Sequence, residues 1–180
     1  PALLYYKSRS PYKNDGNRMA LVCIDVVSRM LYAELLKTKE PGEVAEAFKR
    51  IQRAARDRVR IRGWTQVIPK EVSTDSGAEF KRVCSDMLAD EGISQRFKES
   101  TNSLAVVDAA ISWIKTTIAK TMVGDSDDSW AKALPLAVEA HNKNSHPHLL
   151  GSAPEDVKGT PMLQYELEKQ SGLDTATNAT

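Results

Sequence analysis

The sequence predicts an α/β domain: a mixed five-stranded sheet with helices on both faces. Three observations predict it. Residues Met19–Val27 (MALVCIDVV) form a nearly continuous apolar, β-rich run, the composition of a central strand buried on both faces. Turn chemistry separates that run from an apolar segment before it, Ala2–Tyr6, and Ser28-Arg29 separates it from another after it, Met30–Leu36. Three strands joined by tight connections make an antiparallel meander. From residue 41 onward, stripes of helical period alternate with short β-rich runs, which adds helices and two more strands.

The elements follow in order. Asn14-Asp15-Gly16 is a strong hairpin signal between the first two strands. Pro41-Gly42-Glu43 opens a helix, with proline near its first turn. Val44, Phe48, Ile51 and Ala55 then share one face. Arg50, Arg53 and Arg56 lie off that stripe, and Arg58, Arg60 and Arg62 carry the basic run towards Gly63. A strand over Val67–Ser73 ends at Thr74-Asp75-Ser76-Gly77. A helix over Glu79–Glu91 stops at Gly92, and Ile93–Phe97 makes the fifth strand. Leu104–Met122 is a long helix with Val107, Ile111, Ile114 and Ile118 on one face, and Ser129–Asn142 is another. Residues 143–160 read as loop and residues 161–180 as a polar tail. The expected organisation is one domain over 1–157, cut at its N-terminal edge, with a polar extension over 158–180.

The net charge of +1 says nothing about partners, but its distribution does. Residues 1–62 hold 14 Lys/Arg against 7 Asp/Glu, and residues 63–180 hold 11 against 17. Such asymmetry hints at a polyanion-facing surface and an acidic site elsewhere. A solvated face would give the same count. Cys23 and Cys84 read as buried thiols in a reducing compartment. No cysteine pair at ligand spacing accompanies His141, His146 and His148, so a zinc site is not expected. No apolar run is long enough to span a membrane.

Two acids stand out. Asp75 follows a strand and precedes Ser76-Gly77. A carboxylate at a strand's C-terminal end, beside a glycine that permits close approach, is well placed for a metal or ligand. A turn or capping aspartate would look the same. Asp108 lies in the first turns of the long helix among small apolar residues, where interaction with the helix dipole is the alternative. Lys115, seven residues on, faces the same way. Several carboxylates converging on one sheet edge are what two-metal chemistry needs, because Mg²⁺ prefers oxygen ligands.

These residues carry a resemblance. Leu21–Arg29 (LVCIDVVSR) is similar to the second-strand motif of retroviral and retrotransposon integrase cores. Ser73–Phe80 (STDSGAEF) is similar to their TDxGxEF motif, and Asn102–Lys115 (NSLAVVDAAISWIK) to their VERFNRTLK helix. Asn142, His146 and Pro154 resemble the YN…H…tP ending. The resemblance covers residues 3–157 and implies an RNase H-like fold. It further implies a D-D-E carboxylate triad holding two Mg²⁺ or Mn²⁺ ions, which performs DNA 3′-end processing and strand transfer. Asp75 would be the second carboxylate and Asp108 the third. Lys115 would take the place of a lysine that contacts DNA in relatives, with Asn102 as a further DNA contact. Apart from the resemblance, Arg53 and Arg56 in the basic run are expected to track DNA phosphates, with a solvated helix face as the alternative. Partners would be element ends and target duplex, with a homodimer as the default assembly. Action would be intracellular, in the nucleus at the time of integration.

Three departures from the family pattern bear on activity. Asp108 stands where the family has glutamate, one methylene longer. The first-strand carboxylate has no counterpart in Ala2–Tyr6, so it lies upstream of Pro1 or has been lost; Asp25, at a second-strand position that relatives fill with non-catalytic residues, is the minor candidate to substitute for it. Ala109, Ala110 and Ile111 replace polar residues. A polynucleotidyl transferase core is the leading expectation. A catalytically decayed integrase-fold module for DNA binding or assembly is the alternative, and a ribonuclease H is disfavoured by TDSGAEF.

Overall fold

The run beginning at Met19 becomes a strand because its side chains meet an apolar layer on each side. In the computed structural model, which describes residues 2–5, 14–61, 69–97, 105–124, 129–157 and 169, strand β2 (Met19–Ile24) lies between β1 (Ala2–Tyr5) and β3 (Leu31–Leu36), antiparallel to both. Alternate residues point to opposite faces. Met19, Leu21 and Cys23 enter one core, whereas Ala20 and Val22 enter another, against which Ile24 also packs. Helices α1 (Pro41–Ile61) and α2 (Val83–Asp90), with Val72 of β4 (Glu71–Thr74), complete the first core. Helices α3 (Ala105–Gly124) and α4 (Trp130–Lys143) complete the second. The expected helices on both faces are therefore present. No described helix is long and apolar enough to cross a membrane.

The sheet differs from expectation. Among the described residues the strands form two sheets, the meander β1-β2-β3 and a parallel pair of β4 with β5 (Ser94–Phe97), rather than one of five strands. The two sheets share the first core, to which β2 and β4 both contribute. Residues 62–68, which hold the start of the expected Val67–Ser73 strand, lie outside the described residues, and β4 begins at Glu71.

Three other expectations are corrected by side chains that hold the backbone. The apolar run stops being strand at Ile24, because Asp25 Oδ1 accepts from the N–H groups of Val27 (2.9 Å) and Ser28 (3.0 Å) and closes a turn. Arg29 there takes a left-handed conformation, φ 57°, and Val26 and Val27 are exposed. The helix expected over Glu79–Glu91 is broken: Ala78–Phe80 form a 3-10 turn, Arg82 has φ 48°, and α2 starts at Val83. The break lets Phe80 enter the core. Residues 143–160, expected as loop, contain a 3-10 turn over Pro147–Leu149 and a short helix α5 (Pro154–Val157). Leu149 and Val157 bury each other there, which gives this segment its own small core.

Local sequence explains the helix starts. Glu43, in the first turn of α1, accepts from Lys37 N (2.7 Å) and Thr38 N (2.9 Å), fixing the chain that enters the helix. Val44, Phe48 and Ile51 are buried along the expected stripe, as are Val107, Ile114 and Ile118 on α3. Ser129 caps α4 by accepting from Lys132 N. The predicted turn residue Asn14 also serves α4: it is fully buried, and its Oδ1 accepts from Ala131 N (3.2 Å). Asp15 and Gly16 take the positive φ that the turn requires, 51° and 78°.

Candidate functional site

β4 ends at Thr74, and Asp75 follows at its C-terminal end with a half-buried side chain. Its Oδ1 accepts from Gly77 N at 2.9 Å, so the carboxylate folds back over the glycine. A Cβ on Gly77 would stand 2.9 Å from Asp75 Oδ1 and 2.7 Å from Glu79 Oε2. The two carboxylates thus flank one glycine, and their oxygens are no farther apart than these two distances together. Gly77 has φ −55°, so its need for glycine is space, not backbone conformation. Glu79 lies inside the TDSGAEF motif, yet sequence reasoning did not single it out; its place four residues after Asp75 was the available signal.

Two hard-oxygen side chains in a cradle that a methyl group would fill suit a divalent ion of the Mg²⁺ type, which typically takes one or two carboxylates and completes its shell with phosphates and water. Asp108 lies in the first turn of α3 and is exposed. Lys115 is exposed on the same helix, about 10 Å along its axis. Among the described residues, no group of three or more His, Cys, Asp or Glu side chains is placed to hold a metal ion. The expected three-carboxylate cluster is therefore not assembled among them. Asp25 is occupied with the backbone of the β2–β3 turn.

The predicted DNA-contacting residues fare differently. Arg53 is exposed on α1. Arg56 pairs with Glu91 of the α2 end, Nη2 to Oε2 at 2.6 Å, and Arg50 pairs with Glu34 of β3 at 2.8 Å. Part of the basic run thus holds α1 to its neighbours. Asn102 lies outside the described residues. Asn142, drawn from the YN…H…tP resemblance, is buried and structural: Leu31 N–H donates to its Oδ1 and its Nδ2 donates to Leu31 O, both at 2.8 Å.

Beside α3 runs a cavity of about 590 Å³, lined by Ala105, Ala109 and Trp113 on the helix and by Arg29, His146 and His148 opposite. His141 forms part of its floor. Its Nε2 lies 3.1 Å from Arg29 O. A carbonyl can only accept, so Nε2 carries the proton. Burial holds the His141 pKa below 6.5, and burial followed by the neighbouring His141, Arg29 and His148 does the same for His146. Sequence reasoning gave this groove no role.

No protein-family model matches the chain. It is 31% identical over 160 residues to a transposon-derived protein of Caenorhabditis elegans, across 86% of this chain and 52% of that protein. The chain thus spans about half the length of that curated relative. Among solved structures it superposes on the HTLV-2 integrase catalytic core in complex with magnesium, dimeric form, with a TM-score of 0.64 at 16% identity, covering 88% of this chain and 92% of that one. The fold is that of a retroviral integrase catalytic core. The bovine immunodeficiency virus integrase core gives a TM-score of 0.59 at 20% identity over 84% of this chain and 90% of that one. A chain of the simian T-cell lymphotropic virus intasome, solved with the PP2A regulatory subunit B56 gamma, gives 0.66 at 16% identity over 83% and 51%. The integrase-core fold is an RNase H-like α/β fold, as the motifs implied.

Proposed function

We propose that this chain is the integrase-type core of a mobile element, acting on DNA in 3′-end processing and strand transfer. The observation that carries the reading is the Asp75–Gly77–Glu79 cradle at the end of β4, set in an integrase-core fold and in a sequence related to a transposon-derived protein. Asp75 would be the principal metal ligand, with Asp108 contributing from α3. Two Mg²⁺ or Mn²⁺ ions, when bound, supply charge stabilisation to the attacking and leaving oxygens of a phosphodiester. The protein's own groups position the DNA: Lys115 two turns beyond Asp108 on α3, with Asn102 before that helix in sequence and Arg53 on α1 meeting phosphates. In this reading the two sheets act as one five-stranded platform, the working unit is a homodimer, and the chain acts in the nucleus.

The test is strand transfer by the protein on oligonucleotide duplexes with Mg²⁺ or Mn²⁺. Activity that disappears in Asp75→Asn, with the fold intact by circular dichroism, is the expected result. An unchanged rate in that variant sinks the assignment. Two observations favour a second reading, a decayed module that binds DNA without cutting it. The described first strand, ALLY, carries no carboxylate, and the third acid is the shorter aspartate. Duplex binding without metal-dependent cleavage would select that reading.

A further inference from the structure

We propose that the cavity between the first turns of α3 and the end of α4 is a nucleotide pocket, taking one 5′-phosphorylated nucleotide with its base against a ladder of rings and its phosphate towards Arg29. The cavity volume, about 590 Å³, lies within the range of small-ligand sites. Its space exists because the α3 wall is built from methyl side chains one turn apart, Ala105 and Ala109. Sequence comparison marked Ala109 as a departure from a polar family position, and the structure shows what the small residue leaves open.

The ring-bearing side of the cavity, which runs from Trp113 on α3 to His148, is chemically specific. Trp113, His141, His146 and His148 follow one another with ring centroids 5.2, 6.0 and 5.7 Å apart, the first two contacts edge-on at 76° and 61° and the third tilted at 37°, so a base would meet the faces the rings turn to the cavity. Every base has a π-face, so rings of this kind accept bases with little regard to sequence. His141 is pinned by Arg29 O, and His148 N–H donates to His146 Nδ1 at 3.3 Å, so two of the rings are held by the backbone.

Arg29 supplies the charge. It is half-buried, and burial lowers its pKa while the nearby Asp25 raises it. Asp25 offsets part of this charge, and burial favours the neutral forms of His141 and His146, so Arg29 is the guanidinium or ammonium group among the described lining residues. A purely apolar ligand would leave the guanidinium unmatched, and a plain anion would make no use of the rings. A nucleotide uses both. That it comes from a DNA strand rests on the proposed function; that the cavity takes a nucleotide does not.

The experiment is an NMR titration of the whole chain with deoxyadenosine 5′-monophosphate, followed at the histidine ring protons and the Trp113 indole. Deoxyadenosine and inorganic phosphate serve as separate probes. The expected result is saturable shifts at His146, His148 and Trp113, with the nucleoside and the phosphate each at least tenfold weaker. Arg29→Gly suits the left-handed backbone and should weaken the nucleotide about tenfold while leaving the nucleoside unchanged. Ala109→Trp, at an exposed position, should fill the space and abolish binding. Competition by a duplex with a single-stranded 5′ end, but not by a blunt one, would identify a strand as the source; failure of both to compete would identify a free nucleotide. Equal affinity for phosphate alone, or shifts that survive Ala109→Trp, would overturn the proposal. Asp75→Asn separates the two ideas, since it should abolish strand transfer and leave nucleotide binding intact.

Discussion

Asn142 and the backbone of Leu31 exchange two hydrogen bonds of 2.8 Å, Leu31 N–H to Oδ1 and Nδ2–H to Leu31 O. The pair joins the last turn of α4 to β3 inside the protein, where Leu31 is fully buried. One amide thus satisfies both backbone groups of that residue, which would otherwise pay for burial without a partner. Asn142→Leu should cost about 2–3 kcal/mol, since it orphans a buried donor and a buried acceptor. Asn142→Asp should also destabilise, by losing the donor. Urea denaturation checks both, and a change below the measurement error would refute the role.

The cradle predicts a separation of stability from metal binding. Gly77→Ala puts a methyl group 2.7 Å from Glu79 Oε2 and 2.9 Å from Asp75 Oδ1, so the carboxylates must move. The backbone φ of −55° tolerates alanine. Mn²⁺ affinity should fall at least about tenfold, equivalent to about 1.4 kcal/mol. Calorimetric Mn²⁺ titration would expose the error if affinity were unchanged. Asp75→Asn should leave the metal-free protein as stable or slightly more so, because it relieves repulsion with Glu79.

Stability should fall with acid through His141. Its folded pKa lies below the unfolded value of 6.5 because burial disfavours the cation. The unfolded chain therefore takes up the proton first as pH falls. The contribution is fully present above pH 6.5 and is lost as pH drops through the lowered folded pKa. His146 acts in the same direction. The Tm should decline from pH 7.5 to pH 5, and His141→Gln should flatten that part of the profile. An identical slope in the variant would contradict the assignment.

The arginines of α1 should separate in a DNA-binding assay. Arg53→Ala should weaken duplex binding and reduce the salt slope by about one. Arg56→Ala should do less, because Glu91 already neutralises it at 2.6 Å. The Arg56–Glu91 pair itself is surface-exposed and should be worth less than about 1 kcal/mol to folding. Fluorescence anisotropy over a salt series would show the prediction wrong if the two variants matched.

Capping of α4 spans the chain. Asn14 Oδ1 accepts from Ala131 N, and Ser129 Oγ accepts from Lys132 N. Either residue replaced by alanine should cost about 1 kcal/mol, and the double variant more. Thermal denaturation would show whether the losses are present; a neutral double variant would rule out the caps.

Much of this protein was written in local pattern. The two-sided apolar run at Met19–Ile24 set a central strand, and the stripes Val44-Phe48-Ile51 and Val107-Ile114-Ile118 set helices and the faces they bury, because periodicity reports directly which side of an element meets the core. The TDSGAEF motif located Asp75 at a strand end, since a strand followed by turn residues is itself a local signal. What tertiary structure alone decided is where polar side chains spend their hydrogen bonds. Asp25 turned the end of an expected strand into a turn, Asn14 keeps its place in the hairpin turn while its side chain caps a helix 117 residues away, and Asn142 reached Leu31 across 111 residues. The Trp113–His148 ring ladder likewise exists only once α3 and α4 have packed. Such pairings obey geometry between distant segments and leave no period in the chain, so only the folded structure could assign them.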